Sequence, residues 1–316
     1  MKRVVLLSAI CLMLVAIGGS PLSVPRGLCA PSVATDETDD IKIDTHLVTL
    51  TVAVLDRVGQ PIVGLTREQF EIYEDKIRQE IEFFSERDDP ASIGIVFDLS
   101  SSMHPKLEQA REAVELFLEM SHPEDEFFML TFNDKIDRVT DFVPADLLAR
   151  RLSTLSTEGG TALYDAIYAG VEKLKQGRHK KHVLLVLSDG ADNRSRYTFR
   201  QVRQLIREGD PILYAIGNPT PSGNCGRVCH QQAMLLLDEL VTPTGGRTYF
   251  PRSRQDLEDA ASEIAVTIRR LYSLGYVPGN RANDGKWRNI QVRLSQNAAA
   301  PSKVSLRARA GYYARR

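Results

Sequence analysis

Two uninterrupted apolar runs, Ile93-Gly-Ile-Val-Phe97 and Val183-Leu-Leu-Val-Leu187, constrain this chain more than any other feature. Neither shows the apolar and polar alternation of a strand with one wet face, so each reads as a strand buried on both sides. Between and beyond them the periodicity changes. Ala110, Val114, Phe117 and Leu118 recur at helical intervals behind Met103, with Pro105 suited to a first helical turn. The same alternation runs from residue 90 to 271, with strands expected at 93–97, 127–132, 138–142, 183–187, 212–216 and 247–250. Helices are expected from about residue 103 and at 146–155, 163–175, 199–208, 233–242 and 255–271. This pattern predicts an α/β fold: a Rossmann-like, doubly wound, mainly parallel sheet with helices on both faces.

The flanks read differently. Residues 46–55 alternate as a strand, Val58-Gly-Gln-Pro61 is a turn, and Thr66-Arg-Glu-Gln69 is a capping box for one helical turn. Residues 71–73 and 77–84 form an expected hairpin around Glu74-Asp-Lys76. At the other end 272–277, 287–294 and 304–310 are strand-like, and Trp287 reads as a β-core residue. Neither flank alone has enough strands to bury two faces, because isolated hairpins are marginal in water. The expectation is a discontinuous β-sandwich, 41–89 pairing with 272–314, into which the α/β domain at 90–271 is inserted.

Three hundred and sixteen residues suffice for two such domains. Met1-Lys-Arg3 ahead of the apolar stretch 4–17 reads as a secretory signal, too short to span a membrane comfortably. Cleavage is expected after Ala34 or Ala30; residues 1–34 are taken as the signal and 35–40 as a linker. No other candidate span occurs, so the mature chain is expected in the periplasm or outside the cell. The formal net charge of −1 over all 316 residues and the scattered basic residues argue against a nucleic-acid partner, and the run Arg178-His-Lys-Lys-His182 reads as a solvated loop. Cys225 and Cys229 alone survive cleavage, in a turn-rich segment of an exported chain, and read as a local disulfide. Their spacing departs from the two-residue gap of haem attachment, and a zinc site with His230 lacks a fourth ligand.

Directly after the first buried run stand Asp98, Ser100 and Ser102, a D-x-S-x-S triplet; Thr161 follows Gly159-Gly160, and Asp189 follows the second run in Ser188-Asp-Gly190. Serine and threonine hydroxyls supply neutral oxygens to a hard cation without cancelling its charge, and flanking carboxylates orient them. Asp98 and Asp189 also fall at strand ends, where open α/β sheets bind ligands.

These three segments, Asp98-Leu-Ser-Ser-Ser-Met103, Gly159-Gly-Thr161 and Leu187-Ser-Asp-Gly190, resemble the metal-ion-dependent adhesion site of von Willebrand factor type A domains over roughly residues 90–271. The resemblance implies that Asp98, Ser100, Ser102, Thr161 and Asp189 hold Mg²⁺ or Mn²⁺. It implies also a protein ligand whose Asp or Glu completes the shell, inside a rim of Met103, His104, Asn133, Asp134, Asn193 and Arg194. The flank phrases Gly64-Leu-Thr-Arg-Glu-Gln-Phe70, Tyr272-Ser-Leu-Gly-Tyr276 and Gly311-Tyr-Tyr313 resemble a bacterial group of such proteins often seen in Acidobacteria.

Two enzyme readings are weaker. An Asp-nucleophile phosphotransferase needs a second acid two residues after Asp98, where this chain has Ser100. A serine hydrolase lacks a G-x-S-x-G elbow, and His104 beside the serines does not make a triad. The expectation is therefore a non-enzymatic binding module, with a structural envelope protein stabilised by its ion as the alternative.

Overall fold

The computed structural model describes residues 47–188, 192–217, 226–295 and 304–315. All of them lie in one compact unit.

The chain enters through β1 (Val48–Leu55), a 3₁₀ turn at Arg67–Gln69 closed by the Thr66/Gln69 capping box, β2 (Phe70–Glu74), β3 (Ile77–Gln79) and β4 (Phe83–Glu86). The α/β layer begins with β5 (Ala91–Asp98), every residue of which is buried. A 3₁₀ turn at Ser101–Lys106 leads into α1 (Leu107–Glu119), so the regular helix starts later than Met103 suggests; Met103 N–H already bonds back to Ser100 O at 3.0 Å. Then come β6 (Glu126–Phe132), β7 (Ile136–Val139), α2 (Ala145–Leu152), α3 (Leu163–Leu174), β8 (Lys181–Leu187), α4 (Phe199–Gly209), β9 (Ile212–Ile216), α5 (Arg227–Val241), β10 (Arg247–Tyr249) and α6 (Arg254–Arg269). The strand expected at 138–142 sits earlier because β7 turns back on β6 through a register shift at Thr131/Phe132. The helix expected from residue 233 starts at Arg227, which takes Cys229 and His230 out of a loop and into its first turn.

The six strands order as β10-β9-β8-β5-β6-β7, parallel except for β7. Strand residues alternate between two cores. Ile93, Ile95 and Phe97 share one with α1, α2 and α6, while Val96, Leu184 and Val186 share the other with α3, α4 and α5. Gly94 is required by this packing: a Cβ there would lie 2.4 Å from the Phe128 ring. Strand order reverses between β5 and β8, so the crevice at their carboxyl ends is open to a ligand.

The flanks do combine. With β11 (Tyr272–Tyr276), β12 (Trp287–Leu294), β13 (Ser305–Arg307) and β14 (Gly311–Tyr313) they form two four-stranded sheets, β13-β1-β11-β4 and β14-β12-β2-β3. Their shared core holds Leu50, Val52, Phe70, Ile72, Tyr272 and Leu274. The expected strand 77–84 is in fact split: Ile77–Gln79 pairs with β2, and Phe83–Glu86 crosses to pair with β11 in the other sheet. Trp287 is half-buried, with the Arg207 guanidinium of α4 stacked 4.7 Å from its ring. The exit of α6 is tied down by Arg269 on Asp88 at 2.7 Å and by Lys181 Nζ on Ile268 O at 3.0 Å. Among the described residues no helix is long and apolar enough to cross a membrane.

Candidate functional site

The exit of β5 builds a polar knot on an apolar floor. Asp98, the last residue of the strand, is 0% exposed. A buried carboxylate needs hydrogen-bond donors, and both of its oxygens have one. Ser100 N–H donates to Oδ1 at 2.8 Å, and the Ser188 hydroxyl, just past the end of β8, donates to Oδ2 at 2.6 Å. The two strands flanking the crevice are thereby joined through one side chain. Beyond the carboxylate the Ser100 and Ser102 hydroxyls lie 3.0 Å apart, two neutral oxygens at one place.

Thr161, 3% exposed, is brought to this knot by backbone bonds between loops. Ser101 N–H donates to Gly159 O at 3.1 Å, and Glu158 N–H donates to Leu99 O at 2.8 Å. Gly159 has φ +77°, a left-handed conformation that favours glycine.

The next helix starts without a cap of its own. Ala162 occupies the N-cap position of α3 and has no side chain able to accept from the helix. The caps come from residues 192–195. Asn193 Oδ1 accepts Thr161 N–H at 3.1 Å, Asp192 Oδ1 accepts Leu163 N–H at 3.0 Å, and Ser195 Oγ accepts Asp165 N–H at 3.0 Å. Asp165 returns the favour, its Oδ1 accepting Arg196 N–H and Tyr197 N–H at 2.8 and 2.9 Å. Burial pushes the Asp192 carboxyl above the usual range, opposed by its hydrogen bonds to Ser195 and Leu163.

Of the five expected metal ligands, Asp98, Ser100 and Ser102 form this knot, Thr161 lies in the loop bonded to it through Glu158 and Gly159, and Asp189 lies outside the described residues. Among the rim residues, Met103 is only 5% exposed and packs in the core beneath α1, and His104 Nδ1 is 2.8 Å from Thr157 Oγ1. Asn133 O accepts Ala162 N–H at 2.7 Å, Asp134 Oδ1 accepts Gly160 N–H at 2.9 Å, and Arg194 Nε pairs with Asp134 at 3.1 Å. Asn193 and Asp134 thus hold the Thr161 loop from below. Cys225 lies outside the described residues, and Cys229 sits in the first turn of α5. Ser188, Asp192 and Ser195 were not singled out from the sequence; the one available signal was a helix beginning at Leu163 behind an alanine. Among the described residues no group of three His, Cys, Asp or Glu side chains is placed to hold a metal ion.

The sequence profile of the von Willebrand factor type A domain matches residues 93–191. No curated protein matches the chain. Among solved structures, the pilus adhesin SpaC of Lactobacillus rhamnosus GG in its open conformation is similar with a TM-score of 0.50 at 10% identity, over 81% of this chain and 48% of the adhesin. A von Willebrand factor type A protein from Catenulispora acidiphila gives 0.49 at 12% identity, over 84% and 73% of the two chains. The PilB minor pilin from Streptococcus sanguinis gives 0.43 at 13% identity, over 57% of this chain and 61% of the pilin. The chain therefore spans less than two thirds of the pilin and under half of the adhesin, and the likeness to the adhesin speaks for fold alone. The profile match covers β5, β8 and the Thr161 loop between them, and on that ground the protein carries a von Willebrand factor type A domain.

Proposed function

We propose that this chain is an exported, non-enzymatic protein-binding module of the adhesion type, dependent on Mg²⁺ or Mn²⁺. The hydroxyls of Ser100, Ser102 and Thr161 hold the cation, Asp98 and Asp189 orient them, and an acidic side chain of a protein partner completes the shell. The kinship of the flanks to the Acidobacteria group belongs to the same reading. The observation that carries it is Asp98, a fully buried carboxylate turned by Ser100 N–H and Ser188 O–H, directly behind two hydroxyls at 3.0 Å. The donor set suits a small hard ion: neutral oxygens in front, a carboxylate fixed behind, and a loop held by its own hydrogen bonds. A bound cation would supply an electrophilic position for a carboxylate oxygen. What the protein's own residues contribute is placement, since the Thr161 loop is fastened to both the β5 exit and residues 192–195.

The phosphotransferase alternative has less support. A nucleophilic Asp98 would have to reach a phosphoryl group from full burial, and Ser100 has no acid–base capacity near neutral pH.

Calorimetric titration of chelator-treated protein with Mg²⁺ and Mn²⁺ tests the reading. Saturable binding by the parent, lost in Asp98→Ala, is expected. Absence of binding to the folded parent removes the cation from the proposal, and binding without any acidic partner found in its presence would favour an ion that only stabilises. A Cys225–Cys229 disulfide is proposed with export; mass spectrometry finding both cysteines alkylated without prior reduction overturns it.

A further inference from the structure

A cavity of about 140 Å³ opens beside the polar knot, between the start of α1 and the start of α6, at the carboxyl ends of β8 and β9. Its floor is apolar: Met103, Leu187, Ile216 and Leu257 line it, each 1–8% exposed. Its mouth is cationic, with Lys106 and Arg252 among the lining residues. The start of α6 borders this mouth. Its capping box is closed, with Asp256 accepting the Arg252 and Ser253 N–H groups and Ser253 Oγ accepting Asp256 N–H. The chemistry is therefore that of an apolar socket under a positive rim. An apolar cavity of about 150 Å³ accepts a benzene molecule, so this one has the size of an aromatic or branched aliphatic side chain.

The socket is continuous with the proposed cation site. Ser188 lines it and also donates its hydroxyl to Asp98 Oδ2. We infer that the cavity is a second subsite for the same partner: it takes an aromatic or branched aliphatic side chain that neighbours the partner's metal-bound acid. This rests on the cation reading above. The occupant follows from three features together: size, an apolar floor, and a rim whose charge complements an acidic partner. An apolar residue beside a carboxylate satisfies all three. Such a partner gains specificity from the socket, since a carboxylate alone is common to every acidic surface.

The experiment uses the whole chain labelled at its methionine methyl groups. Met103 reports on the socket, and Met129, 1% exposed in β6, is the control. Isobutylbenzene is added first with a chelator and then with Mg²⁺. A saturable shift of the Met103 methyl in both conditions, with Met129 unmoved, is expected. Acetyl-Asp-Phe-amide, with Mg²⁺ present, should then displace isobutylbenzene and bind about tenfold or more tightly than acetyl-Asp-Ala-amide. Ala110→Leu, which narrows the cavity, should remove both the Met103 shift and the dipeptide preference. Should that variant fail to fold, Arg252→Glu gives an independent arm: dipeptide binding weakens while isobutylbenzene still binds. No Met103 shift, or equal affinity for the two dipeptides, overturns the subsite. If neither dipeptide binds in Mg²⁺ yet isobutylbenzene shifts Met103, the cation reading has failed and the assignment to an acidic partner falls with it.

Discussion

Asp98 and Glu74 are both carboxylates removed from water, 0% and 2% exposed, and the two regions that bury them treat them differently. Glu74, on β2, accepts the Tyr276 hydroxyl at 2.6 Å and the Tyr312 hydroxyl at 3.0 Å. Tyr276 belongs to the opposite sheet, so this carboxylate stitches the two sheets together through phenols whose rings are locked in packing. Asp98 instead takes a backbone N–H and a serine hydroxyl at the open end of a parallel sheet, with two more serine hydroxyls ahead of it. Serine hydroxyls rotate freely and can turn a lone pair toward an incoming ion, whereas a packed phenol cannot leave its partner cheaply. The same chemical group is thus a fastener in one region and an orienting element in the other.

Exchanging the groups tests that contrast. Asp98→Ala should cost the largest factor, about 100-fold or more in cation affinity, because the hydroxyls lose the carboxylate that orients them. Circular dichroism should remain close to the parent. Retained affinity would show that Asp98 is a fastener too. Glu74→Ala should do the reverse, leaving cation binding intact and lowering unfolding free energy by about 2–4 kcal/mol, since the buried Tyr276 hydroxyl and the half-buried Tyr312 hydroxyl lose their acceptor. Chemical denaturation of the two variants side by side, with titration of each by Mn²⁺, reads both effects. Glu74→Gln, which keeps an acceptor oxygen, should recover part of the loss.

This division was only half legible in the residues. The fully apolar runs at 93–97 and 183–187 identified strands that the structure places at the centre of the sheet, and the oxygen-bearing residues after them could be read without any contact information. Glu74 was read only as part of a turn. Its partners are some two hundred residues away, and no local period announces a pairing of that range. The misreading of 77–84 has the same cause. Ile81 is buried and Glu82 N–H bonds Gly275 O at 2.8 Å, so the chain changes sheets while its local pattern still looks like one strand. Alternation reports that a residue faces a core, not which sheet it belongs to.

A third difference lies in alkaline pH. Burial pushes the Tyr272 hydroxyl up to about 12, and it raises Tyr276 and Tyr312 as well, with Glu74 adding to both. Free tyrosine ionises near pH 10. Below about pH 10 both folded and unfolded chains keep these protons and the stabilisation is complete. Between there and about pH 12 the unfolded chain loses protons that the folded chain keeps, so stability falls as pH rises through this window. Denaturant unfolding at successive pH values should show that decline, shallower in Tyr272→Phe. Burial also raises Tyr214 and Tyr249 in the parallel sheet, so the variant should lessen the slope without abolishing it. A profile flat to pH 12 would mean the sandwich core is wetter than its packing indicates.

The smallest effect concerns residues 192–195, which cap a helix that has no cap of its own. Asn193→Ala removes the acceptor of Thr161 N–H, while the Asn193 and Arg194 N–H groups still donate to Thr161 O at 3.0 and 3.2 Å. One lost cap of this kind costs about 1 kcal/mol. Because the bond falls on Thr161 itself, the loss should appear as a several-fold weaker cation affinity as well as a small drop in melting temperature. Ser195→Ala makes the comparison sharp. It removes a cap at Asp165, four residues past the proposed ligand Thr161 in the same helix start, and should lower stability by a similar amount with less effect on the cation. If Asn193→Ala leaves cation affinity unchanged and weakens only the binding of a partner, then Asn193 acts at the rim, as its sequence position first suggested. If both properties fall together, the oxygens at the open end of the sheet depend on a framework borrowed from another loop. Glu74 needs no such loan, because its partners are held by the packing of two sheets.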